Sequence, residues 1–131
     1  MLDFIDLRIV AAAQLIMAAG TIHFWITWFR KEHNEPWLPV GYVEHERVFV
    51  YPDSVMSALM VVSAILLFMG NPLGEKLALV CGGMVLFLTI IDLAYFAQHR
   101  MFERERGGKE NLALVIPMVL MSLLLNLRFI F

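Results

Sequence analysis

Residues 77–98, LALVCGGMVLFLTIIDLAYFAQ, decide what kind of molecule this is. The run carries one charged side chain, Asp92. At about 1.5 Å per residue, a helix of this length crosses a hydrocarbon core of about 30 Å. Working outward, three further runs have the same character: residues 7–29, 54–70 and 111–130. The second is the shortest and is expected to begin earlier, near Tyr51, or to sit in thinned bilayer. In all, 60% of the 131 residues are hydrophobic, against about 45–50% in a soluble domain. The mean hydropathy is +0.74, and the excess is gathered into these runs. The expectation is an all-α, integral membrane four-helix transmembrane bundle, one domain over 1–131, with a long interfacial loop between helices 1 and 2.

Composition excludes several functions. A formal net charge of −2 offers no basic footprint for nucleic acid. The single cysteine, Cys81, excludes an internal disulfide and a CxxC redox pair. The nine methionines form no series of Met-x-x-Met repeats beyond the single pair Met118 and Met121, and read as packing. The start MLDFIDLR has Asp3 and Asp6 where a signal peptide has a basic region, so the first run is expected to be a membrane helix.

The connections differ in kind. Asn71-Pro72-Leu73-Gly74-Glu75-Lys76 is a breaker-rich turn that makes its flanking helices antiparallel neighbours. Residues 100–110 are charged, contain Gly107-Gly108 and read as solvated. Residues 30–53 mix Trp37, Tyr42, Phe49 and Tyr51 with three prolines and four glutamates. A connection this long usually has a task or its own structure, and residues 41–50 are expected to form a short interfacial helix. The first and third connections hold seven of the ten Lys and Arg residues. That bias places them in the cytoplasm, with both termini outside, in a plasma or inner membrane. Small residues (Ala11 to Ala13, Ala18 to Gly20, Ala58, Ala78, Gly82) mark where helices approach closely.

Polar residues concentrate at one end. Asp92 lies six residues inside the end of its run, about 9 Å deep. His23 lies seven residues inside the end of the first run, on the same side. Asp53 opens the second run there, and Glu44-His45-Glu46 hangs beside it. On the first run His23 shares a stripe with Ile16, Gly20 and Thr27; Gln14, Ala18, Thr21, Trp25 and Trp28 form the opposite stripe. The His23 stripe is expected to face inward, because a histidine facing lipid is the costlier arrangement.

Three functions fit this pattern. The first is a polar, aromatic-lined pocket for an amphipathic or lipid-like small molecule. Its candidate ligand-binding residues are His23, Thr27, Trp28, Glu44, His45, Asp53, Asp92 and Tyr95. The second is a structural or partner-binding membrane subunit in which His23 and Asp92 form an interhelical lock. The third is a proton-transferring, isomerase-type membrane enzyme, since a histidine and a carboxylate in a dry site suit proton movement. No catalytic residue stands out, and the reading leans away from an enzyme. No metal or cofactor is expected: no His-x-x-x-His or Glu-x-x-His pair places two ligands on one helix turn. No GxSxG or phosphate-loop spacing occurs. The expected partners are the lipid bilayer and a lipid-like molecule; a homo-oligomer or a partner membrane protein stays open.

The segment Val50-Tyr51-Pro52-Asp53-Ser54, then the apolar run, the Asn-Pro-Leu-Gly turn, and Leu86-Phe87-Leu88-Thr89-Ile90-Ile91-Asp92 through Gln98-His99, resembles small uncharacterised bacterial four-helix transmembrane proteins. The likeness covers residues 50–100 and implies the four-helix fold but no activity.

Overall fold

Asp6 starts the first helix. Its carboxylate accepts a 2.8 Å hydrogen bond from the Arg8 amide, one of the N–H groups that a helix start leaves without a partner. The Arg8 guanidinium bonds the same carboxylate, and these contacts hold Asp6 below its ordinary pKa. From this cap α1 runs over Leu7–Arg30. The structure, a computed structural model, describes residues 1–131. It is all-helical, and four of its helices are long and apolar enough to cross a membrane.

The connection after α1 is shorter than expected. Residues 31–41 form the loop, and Gly41, at φ +81°, turns it into α2, Tyr42–Arg47. Only two residues separate α2 from α3, Val50–Phe68. The second half of the expected interfacial loop is therefore largely helix that leads into the second span. Pro52 does not prevent this, because a proline in the first helical turn lacks only an N–H that has no helical acceptor. The turn into α4, Leu73–Gln98, uses Gly70 at φ +71° and Asn71, whose side chain accepts from the Leu73 amide at 3.0 Å. A single 3-10 turn, Arg104–Arg106, and Gly107 at φ +73° lead into α5, Gly108–Ile130.

The spans pack in chain order: α1 on α3, α3 on α4, α4 on α5. Gly74, Ala78 and Gly82 lie buried along one stripe of α4. A Cβ on Gly82 would meet Asn126 Oδ1 and Leu125 Cβ, both at 3.1 Å, so its bareness permits the α4–α5 approach. Polar contacts also tie the helices together. Gln14 Nε2 donates to Ser63 Oγ at 3.1 Å, and Ser63 Oγ donates to the Gly74 carbonyl at 2.7 Å. Asn126 Nδ2 donates to the Gly82 carbonyl at 2.9 Å.

The face of α1 is the reverse of the expected one. Gln14, Ala18, Trp25 and Trp28 are buried, whereas His23 is exposed and its side chain forms no hydrogen bond. The two tryptophan rings bury far more surface than an imidazole, and each N–H finds a partner. Gln14, expected nearer the membrane surface, is fully buried because Ser63 receives its amide.

The first and last spans barely touch. Near the termini Arg128 Nε donates to the Ile5 carbonyl at 3.1 Å, which closes the ring of helices at that end. Toward the opposite end α1 and α5 separate and leave a cleft.

Candidate binding site

The cleft has a volume of about 610 Å³, within the range of small-molecule sites. One wall is α1 from Ala13 to Phe24, about 16 Å along the helix axis. The other is α5, from Ala113 to Leu124. Met56 and Met121 lie buried within it, while Ile16 and Leu120 are exposed on its rims. The opening therefore faces sideways, at the level of the bilayer core.

Of eighteen lining residues twelve are hydrophobic; the others are Gly20, Thr21, Glu46, Asp53, Asp92 and Pro117. The three carboxyl groups come from α2, α3 and α4 and share the end near the α1–α2 connection. No lysine, arginine or histidine lines the cleft. The three also differ in their partners. Asp53 Oδ2 accepts from Trp25 Nε1 at 2.9 Å, so its position is fixed by a buried ring. Neither Glu46 nor Asp92 has a hydrogen bond or an ion pair. Glu46 is only 9% exposed. Pro117 adds a further feature: it has no N–H to give the Ala113 carbonyl, which loses its helical donor at the cleft wall.

An aromatic lid closes the end above the acids. His45 stacks flat on Tyr95, with ring centroids 4.0 Å apart and planes 8° apart, and Tyr95 also meets His99 at 4.4 Å. Trp28 Nε1 donates to the Tyr42 hydroxyl at 3.3 Å, and the Trp28 ring packs on His33 at 4.3 Å. Asn111 Nδ2 donates to the Met101 carbonyl at 2.7 Å, which fastens the start of α5 to the loop before it.

Of the residues singled out in the sequence, Asp53 and Asp92 lie together in the cleft. Tyr95, His45 and Trp28 lie in the lid and do not line it. Thr27 turns its hydroxyl back on its own helix, to the Phe24 carbonyl at 2.8 Å. His23 and Glu44 point outward, so no His23–Asp92 lock forms. The acid that joins the aspartates is Glu46 instead. Its spacing was a usable signal: Glu46 and Asp53 are seven residues apart, two turns of one nearly continuous helix, and so share a face. Glu44 falls off that face.

The fold and cleft define a multi-pass integral membrane protein of four spanning helices. No protein-family model matches the chain, and no curated protein and no solved structure is similar to it.

Proposed function

We propose that the α1–α5 cleft binds an amphipathic or lipid-like small molecule taken from the bilayer. The observation that carries this reading is the pairing of a long apolar slot, open sideways between two spans, with carboxyl groups at one end. An apolar cavity with a few convergent polar groups is the usual form of a ligand site. Its sideways mouth suits a molecule already dissolved in lipid. Proton-transfer chemistry by a histidine and a carboxylate has less support, because no histidine reaches the cleft. Membership of a group of small bacterial four-helix membrane proteins belongs to the same proposal and adds no activity.

The test is native mass spectrometry of the full chain after mild extraction. A small molecule should stay bound to the wild-type chain and be lost from Gly20→Trp. Gly20 lines the cleft and has nothing within 4 Å of where a Cβ would stand, so a Trp side chain starts into open space at the cleft wall. A chain that retains nothing, or retains the same molecule after Gly20→Trp, refutes the reading.

A further inference from the structure

We infer that the ligand of this cleft is a cationic amphiphile, with a protonated amine for its head and a single apolar tail. The inference rests on the cleft being a binding site and says what that site selects.

Three observations point to the head. Glu46, Asp53 and Asp92 bring three carboxyl groups to one end of an apolar slot, and no basic side chain lines it. Carboxylates away from water need a cation or several donors, since their desolvation otherwise goes uncompensated. Some acids of the chain have such partners: Asp6 pairs with Arg8, and Glu103 pairs with Arg100 and Arg106. Glu46 has none. It is 91% buried, because only 9% of its surface is exposed, and nothing in the protein pairs with it.

The second observation concerns hydrogen-bonding sense. Apart from the Thr21 hydroxyl, the polar side chains of the cleft are carboxyl groups, which accept when ionised. The Ala113 carbonyl, deprived of its helical donor by Pro117, is one more acceptor. Acceptors facing an apolar slot suit a head that brings N–H donors as well as charge. An ammonium group brings three. Third, Phe24 and Phe96 line the cleft with the acids, and aromatic faces attract cations.

The tail follows from the shape. From the acids, the slot runs along α1 for about 16 Å between aliphatic and methionine side chains. Methionine adapts to tails of different shape. With the head among the acids and the tail toward the middle of the bilayer, the molecule keeps its ordinary orientation in a membrane while it enters between α1 and α5.

The test uses the full chain in nanodiscs of zwitterionic lipid, with empty nanodiscs as the control for partition. Three probes share one tail: dodecylammonium, dodecanol and dodecanoate. Retention is read by native mass spectrometry and by thermal shift. Wild-type protein should retain dodecylammonium about tenfold or more better than dodecanol, the range of one hydrogen bond to a charged group. Dodecanoate should be retained least. Glu46→Gln with Asp92→Asn should bring dodecylammonium down to the dodecanol level and leave dodecanol unchanged. If the pair does not fold, Asp92→Asn alone carries the test, since Asp92 has no hydrogen bond to lose. Equal retention of dodecylammonium and dodecanol means that the carboxyl groups carry their own protons; it overturns the cationic head and leaves the cleft a binding site. A preference for the cation that survives in the variants also overturns it. If no probe exceeds the empty nanodisc and Gly20→Trp changes nothing, the binding site itself falls, and this inference with it.

Discussion

Ser63→Ala should be among the costliest single-atom deletions in the chain, although it removes only one oxygen. Ser63 Oγ accepts from Gln14 Nε2 at 3.1 Å and donates to the Gly74 carbonyl at 2.7 Å, so one hydroxyl joins α1, α3 and α4. Gln14 is 0% exposed, and its Oε1 already lacks a partner. Deleting the hydroxyl leaves a whole amide group buried and unpaired. A buried group left unpaired costs about 1–3 kcal/mol, and interhelical polar contacts in membranes are worth about 0.6–2 kcal/mol. We therefore expect a loss of about 2 kcal/mol. Gln14→Leu should behave differently. It gives up the same hydrogen bond but also removes the orphaned Oε1, so the two effects oppose and the net change stays within about 1 kcal/mol. His23→Ala, on the outer face of α1, should stay within about 0.5 kcal/mol. The assay is unfolding in mixed micelles with rising dodecyl sulfate, followed by circular dichroism, with a double-mutant cycle on Gln14 and Ser63. The coupling should be about 1 kcal/mol. A His23→Ala loss as large as that of Ser63→Ala would mean that α1 presents its other face, and would refute the packing described above.

Three further outcomes are expected. Gly82→Val should cost about 1–3 kcal/mol by forcing α4 from α5, because its Cβ would press on Asn126 and Leu125 at 3.1 Å; Gly83→Ala, with open space around it, should cost within about 0.5 kcal/mol. Equal effects in thermal unfolding would deny that α4 packs through its Gly82 side. Asp53→Ala should lower stability by about 1–3 kcal/mol, since it strands the buried Trp25 N–H, whereas Asp92→Ala, with no bond to lose, should lower ligand retention and leave the unfolding midpoint little changed. The reverse order would exchange their roles. Asp6 gives the pH dependence: its folded pKa lies below the unfolded value of 3.8, so its cap contributes above that pH and is lost as pH falls through the lower, folded value. The Arg8 amide proton should titrate with a midpoint under 3.8; a midpoint at or above 3.8 rules out the cap.

The four spans were legible because each apolar run exceeds what a soluble helix needs. Asp53 and Asp92 were legible as neighbours because counting residues from the helix ends puts both near one membrane surface. The inward face of α1 was not. In lipid both faces of a spanning helix are apolar, so periodicity carries little information, and the choice fell on the cost of exposing His23. The structure instead buries Trp25 and Trp28, whose N–H groups meet Asp53 and Tyr42. Which of Glu44 and Glu46 faces the aspartates depends on where helix begins. Once Tyr42–Arg47 is helical and leads into α3, Glu46 takes the Asp53 face and Glu44 leaves it.

The cleft follows from the order of packing. A two-residue or four-residue break holds α2 to α3 and α3 to α4, and the fastened loop before α5 holds it to α4. No turn holds α5 to α1, because they are the first and last spans. They touch little, and the polar tie between their ends is Arg128, bonded to the Ile5 carbonyl and 3.8 Å from Asp3, at the termini. The hydrogen bonds Gln14–Ser63 and Asn126–Gly82 lie on that half as well, whereas Trp25–Asp53 and Trp28–Tyr42 join α1 to its neighbours on the other. The two cleft carboxyl groups without partners, Glu46 and Asp92, lie on the other half, where the ring of helices is open. Polar groups placed to stabilise a bundle should sit where helices meet and should be paired, as Gln14 is through Nε2. Polar groups placed where helices part, and left unpaired, contribute nothing to holding the fold. A cationic head in the gap, as proposed above, would give them the partner they lack.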